Sequence, residues 1–178
     1  TISDTSLDKD DPIPVDEVDP IELNDTSPAD SDVLQCGDHL CQTNESCFSC
    51  PQDCAPVYPW PADWVTREDQ VLEIINQHRL AGAFCDDTNP TFYDAMKTLL
   101  MDEHLRWAAR CHNVDMANNG FFDHVGSNGS EFDERCYEAG YTAFASGENI
   151  AAGQSTSDSV MYGWMHSTHH CENIMRDY

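Results

Sequence analysis

The sequence predicts an α+β fold, with helices and short extended segments layered about one core. Three observations carry that prediction. After residue 60, apolar residues at helical spacing alternate with short apolar runs bounded by Gly, Asn and Ser. That span is long enough for one core of moderate size. The two segments before it are too polar or too short to build a core of their own.

The first of these, residues 1–35, is Asp, Pro, Ser and Thr with isolated Ile, Val and Leu, and carries eleven Asp/Glu against Lys9 alone. It cannot bury enough apolar surface to offset its ordering entropy, so it reads as a disordered acidic linker. Thr1 opens this stretch without a leader, which reads as a processed or trimmed chain. Residues 36–54, CGDHLCQTNESCFSCPQDC, hold five of the nine cysteines and need crosslinks or a metal. Cys47-x-x-Cys50 has no second ligand pair to complete a zinc site and no βαβ pattern around it for a redox fold. Asp38, Asn44, Glu45 and Asp53 offer a Ca²⁺ reading. A disulfide-stapled knot with solvated acids is favoured, because calcium takes roughly six to eight oxygens. The pairing of Cys36, Cys41, Cys47, Cys50 and Cys54 is open; five is odd, so one thiol pairs elsewhere or stays free. Residues 55–65, with Pro56, Pro59 and Pro61, read as a linker whose Trp60 and Trp64 dock on the domain spanning 66–178.

Within that domain, Thr66 with Asp69 marks a helix start, Val71, Ile74, Ile75 and His78 share a face, and Gly82 ends the helix. Thr98–Met101 reads as a short strand. Asp102 caps a helix with Leu105, Ala108, Ala109, His112 and Met116 inward, and Asn118-Asn119-Gly120 stops it. Residues 125–130 form a Gly/Ser loop, Phe132–Ala139 a short helix closed by Gly140, Phe144–Ala152 a strand, and Ser157–Ser167 a helix burying Val160, Met161, Trp164 and Met165.

Composition excludes some functions. The net charge is −25, and residues 61–178 alone carry nineteen acids against seven Arg/Lys. Nucleic-acid binding needs clustered Lys and Arg, and an anionic bilayer would repel this surface. No apolar run approaches the ~20 residues that span a membrane. Dense cysteine points to an oxidising, extracellular setting.

Three short motifs carry possible chemistry: Phe121-Phe122-Asp123-His124, Gly147-Glu148-Asn149-Ile150 and His170-Cys171-Glu172-Asn173-Ile174-Met175. His124, Glu148 and His170 supply two imidazoles and a carboxylate beside apolar residues. They suit Zn²⁺ with an open position, or a hydrogen-bond network fixing three loops; spacing alone favours the network. His166, His169, His170 and Cys171 form a second possible transition-metal cluster, against which stands a plain helix end with polar caps. There is no G-x-S-x-G, H-E-x-x-H, phosphate loop or dinucleotide fingerprint. Cys111 beside His112 and Cys171 beside His170 are better read as disulfide cysteines than as thiol dyads. Sequons stand at Asn24, Asn44 and Asn128.

Taken together, Asn76-Gln77-His78-Arg79-Leu80-Ala81-Gly82, Leu105-x-x-Ala108-Ala109-Arg110-x-His112-x-x-Asp115-Met116, Phe121-Phe122-x-His124-x-Gly126-Ser127-x-Gly129-Ser130, Ala139-Gly140-Tyr141, Gly147-Glu148-Asn149-Ile150-Ala151 and Gly163-Trp164-Met165-x-Ser167-x-x-His170-x-x-Asn173-Ile174-Met175 resemble the CAP superfamily. This is the group of cysteine-rich secretory, antigen 5 and pathogenesis-related 1 proteins, also called SCP-like, and the likeness is to its bacterial secreted branch. It covers residues 68–178. The resemblance implies an α-β-α sandwich, an extracellular location and a cleft in which His124, Glu148 and His170 bind a divalent metal or a small apolar ligand. It also implies two disulfides, Cys85–Cys111 and Cys136–Cys171, the second holding His170 in place. Activities across the family are diverse, so a metal-assisted peptidase with Glu148 as base and a non-enzymatic adaptor for an extracellular protein are carried as alternatives. The chain departs from the family pattern. Thr168 and His169 replace a Pro-Gly found in bacterial relatives, and His166 and Ser167 stand where eukaryotic members carry Glu. A central Ile/Val/Gly-rich strand is expected after the last motif, so the sequence reads as a C-terminally truncated fragment.

Overall fold

A computed structural model describes residues 36–178 except 39, 44, 48 and 86–89. The acidic linker expected over 1–35 and the sequon at Asn24 lie outside the described residues, as does Asn44 of the Ca²⁺ set. The elements, in order, are α1 (Pro51–Cys54), α2 (Ala62–Ala81), β1 (Ala83–Cys85), β2 (Thr91–Tyr93), α3 (Glu103–Asn119), α4 (Phe132–Glu138), α5 (Ser157–Met165) and α6 (Thr168–Met175). No helix among the described residues is long and apolar enough to cross a membrane.

Helix α2 begins at Ala62, four residues before the expected cap. The Thr66 hydroxyl donates back to the Ala62 carbonyl at 2.9 Å, so it bonds inside the helix instead of capping it. Gly82 ends the helix as expected, at φ 74°; a Cβ there would sit 2.9 Å from the Tyr93 carbonyl oxygen. The chain then turns into the antiparallel pair β1–β2, with Ala83 opposite Tyr93 and Cys85 opposite Thr91. Val71, Ile74 and Ile75 of α2 pack on a core of Ala83, Cys85, Met161, Met165, Cys171, Ile174 and Met175. Asp102 caps α3 through the His104 and Leu105 amides, and Gly120 closes it in the left-handed region.

Two expected strands form no ladder, for one shared physical reason: side chains take their backbone hydrogen bonds. The Asn76 amide brackets Leu99, accepting from its N–H at 2.7 Å and donating to its carbonyl at 3.0 Å. In the extended stretch 144–152, Arg176 donates to the Ser146 carbonyl at 3.0 Å and the Trp164 indole to the Ile150 carbonyl at 3.3 Å. Backbone groups need partners, and these ones find theirs without a neighbouring strand. The α+β class therefore stands, with the paired strands among the described residues limited to one hairpin. The last expected helix is α5, which stops at Met165; a further helix that the sequence reading did not expect, α6, carries His170.

The disulfides correct the pairings implied by the family resemblance. Cys85 is joined to Cys171, not Cys111, because β1 packs against α6 and brings the two Cα atoms to 5.5 Å. Cys111 is joined to Cys47 of the cysteine-rich module, because α1 packs on α3. Cys136 is free and half-buried. Burial, then the Glu148 charge, push its thiol up to about 11. Cys36–Cys50 and Cys41–Cys54 close the module itself. Trp60 docks as expected, with the Arg110 guanidinium 4.9 Å from its ring, whereas Trp64 stays half-exposed.

Candidate functional site

His124 lies between α3 and α4 on a segment that α3 grips at two points. The buried His112 side chain meets the Asp123 carbonyl through Nε2 at 2.9 Å. One turn on, the buried Asp115 accepts from the Ser127 N–H at 2.8 Å and from the Asn119 amide at 2.7 Å. Residues three apart on a helix share a face, so one face of α3 fixes the chain on both sides of His124. Gly126 is required by the tight turn that follows: a Cβ there would lie 2.6 Å from Ser130 Oγ.

Glu148 meets His124 directly. The His124 Nδ1–H donates to Glu148 Oε1 at 2.8 Å, and Arg135 of α4 donates to Oε2 at 2.8 Å. Arg135 also donates to the Ser130 carbonyl at 2.7 Å. Both carboxylate oxygens are thus engaged, and the His124 side chain stays 48% exposed. A carboxylate on one imidazole nitrogen fixes the tautomer and leaves the other as a lone-pair donor.

The third motif reaches the same place through asparagines. Asn149 donates to the His170 carbonyl at 3.0 Å, and Asn173 donates to Asn149 Oδ1 at 3.1 Å. Gly147 is needed because Asn173 Oδ1 would stand 2.9 Å from a Cβ. Adjacent residues 148 and 149 therefore tie His124 to the helix of His170. His170 Nδ1 shares a hydrogen bond with Ser167 Oγ at 2.9 Å. Burial holds its pKa below the ordinary 6.5, and the charges of His124 and His169 lower it further. Its imidazole is neutral at neutral pH.

The structure thus joins His124, Glu148 and the backbone of His170 in one network. The three side chains do not converge as one compact ligand set. Among the described residues, the group whose ligand atoms lie within 4.8 Å of one another is Cys36, Cys50 and Asp53, and its two sulfurs are bonded to each other. Of the Ca²⁺ candidates, Asp38 accepts from the Leu40 N–H and the Gln42 amide, Glu45 from the Gln42 N–H, and Asp53 from the Gly37 N–H. Those acids shape turns. In the H-x-x-H-H-C cluster, His166 stacks on Tyr162 with centroids 3.9 Å apart, and His169 points out beside Glu172. Sequence reading missed Arg135. Its signal is isolation: it is the one Arg or Lys between Arg110 and Arg176, so it is the natural partner for a half-buried acid in that span.

Residues 72–178 match the family described as CAP: Cysteine-rich secretory protein family. The chain belongs to the CAP family. It is 33% identical over 116 residues to the Bacillus subtilis (strain 168) protein named uncharacterized protein YkwD, covering 65% of this chain and 40% of that relative. The chain therefore spans less than half of the relative's length. No solved structure matches it significantly. The CAP region starts inside α2 and contains His124, Glu148 and His170, so the whole hydrogen-bond network belongs to it. The cysteine-rich module lies before it and is bonded to it at Cys111.

Proposed function

We propose that this CAP protein is an extracellular binding protein, of the α-β-α sandwich type, whose cleft takes a divalent cation such as Zn²⁺ through the imidazoles of His124 and His170. The observation that carries the reading is the His124–Glu148–Arg135 chain. Arg135 holds the carboxylate, the carboxylate holds Nδ1 of His124, and Nε2 is the ring nitrogen left for a metal. Two imidazoles with nearby open positions suit Zn²⁺, which prefers nitrogen donors and tolerates water or substrate as remaining ligands. The depressed pKa of His170 supports the same reading, since a metal must otherwise displace a proton. Glu148 serves in this reading as the group that orients His124, not as a base, because neither of its oxygens is uncommitted. Four disulfides support an oxidising compartment.

The test is calorimetric titration of the chain with Zn²⁺ alone. Saturable binding that His124→Ala and His170→Ala each abolish supports the proposal. Absence of binding by the unsubstituted protein, or binding that survives both substitutions, rejects it.

A further inference from the structure

The His112 imidazole is almost wholly buried, and its two nitrogens are in different situations. Nε2 meets the Asp123 carbonyl and so carries a proton, which in the neutral ring makes Nδ1 an acceptor. Nδ1 has no hydrogen-bond partner among the described residues. Buried polar atoms in folded proteins are satisfied by protein or by ordered water. His112 also lines a cavity of about 20 Å³, with Arg135, Asn128, Ser130 and Glu138 as further polar wall and Cys47 and Pro51 of the cysteine-rich module also lining it. A single water needs roughly 10–15 Å³ of such volume and two to four polar partners.

We propose that this cavity is a site for one ordered water, which bridges His112 Nδ1 to the polar wall around Arg135, and that the cysteine-rich module is its lid. The water donates one proton to Nδ1. Its oxygen accepts from the guanidinium or the side chains of Asn128 and Ser130. The position matters because the two flanking residues are the supports of His124. His112 holds the Asp123 carbonyl just before it, and Arg135 holds the Glu148 carboxylate against it. The module becomes a structural component of the cleft, bonded at Cys47–Cys111 immediately beside His112. This inference does not depend on the metal reading, and its tests use no metal.

A high-resolution crystal structure of the chain is expected to show one water within hydrogen-bond distance of His112 Nδ1. Density with no water there overturns the proposal. Ala108→Val, which adds methyl groups at the cavity wall, separates wet from dry in solution. Displacing a bound water with an apolar group leaves Nδ1 unsatisfied and lowers Tm by several degrees, whereas filling a dry void raises it. A raised Tm overturns the site. The lid is tested by NMR: in the Cys47→Ser/Cys111→Ser protein the His112 Nε2 proton should exchange with solvent about tenfold faster or more. Unchanged exchange removes the module from the proposal.

Discussion

Arg135 and Glu148 form an ion pair, with a guanidinium nitrogen 2.8 Å from Oε2 and side chains 10% and 18% exposed. This pair sets what Glu148 can do. A carboxylate with both oxygens held stays still, which suits orientation of His124 better than proton transfer.

The pair yields a double-mutant prediction. Removing Arg135 strands a carboxylate that is largely out of water, so Arg135→Met should destabilise by about 2–3 kcal/mol, the range for leaving a charged partner unsatisfied. Arg135→Met/Glu148→Gln should lose less than the sum of the single changes. Urea unfolding of the four proteins measures the coupling; strict additivity would show that the pair contributes nothing. In Zn²⁺ titrations, Glu148→Gln should weaken binding by roughly 10–100-fold, the usual effect of losing a carboxylate behind a histidine ligand.

A pH prediction follows from His170 and His78, both held below the ordinary 6.5 by burial. A depressed histidine means the unfolded chain binds protons that the folded chain refuses. Stability is therefore full above 6.5 and falls as pH drops from 6.5 toward the folded-state pKa values. Thermal melts from pH 7.5 to 5 should show Tm declining with acidity, with a shallower decline in His170→Gln. A Tm that rose on acidification would contradict the burial of both rings.

Cysteine connectivity is directly measurable. Peptide mapping without reductant should recover Cys85 linked to Cys171 and Cys47 linked to Cys111, with Cys136 unpaired. The thiol of Cys136, pushed up to about 11, should alkylate slowly at pH 8 in the folded protein and much faster in denaturant. Cys85→Ser/Cys171→Ser should cost about 4 kcal/mol, as expected for a crosslink closing a long loop.

Arg79 is a clamp on the end of α6. Its buried guanidinium donates to the carbonyls of Lys97 at 2.7 Å, Ile174 at 2.6 Å and Arg176 at 2.7 Å. Helix C-termini leave carbonyls without intrahelical partners, and this side chain supplies them. Arg79→Met should lower stability by about 3 kcal/mol through several unpaired buried acceptors. Arg79→Lys should recover little, because one ammonium lacks the planar fork that reaches separate carbonyls. Chemical denaturation of the two variants distinguishes a clamp from simple packing.

Local features were legible in the sequence where their cause is local. Asp102 and Gly120 bound α3 because an acceptor at the cap and a left-handed glycine act within one turn. The motifs carrying His124, Glu148 and His170 were legible as family marks, and the region containing them is a CAP domain. Three things were not legible. The strands at 98–101 and 144–152 fail as ladder strands because Asn76, Trp164 and Arg176, distant in sequence, take their backbone groups. Disulfide partners depend on which helices touch. The role of Glu148 depends on an arginine thirteen residues earlier that no motif marks.

The sequence by itself determined the acidic character, the bounds of α3 and, through its motifs, the family. The first two follow from composition and short-range chemistry, which act along the chain, and the third from the resemblance of its motifs. Only the tertiary structure decided that Cys47 crosslinks the module to α3, that Cys85 reaches Cys171, and that Arg135 turns Glu148 into a support for His124. Each of those joins residues brought together by the packing of separate elements, and proximity of that kind is a property of the folded core.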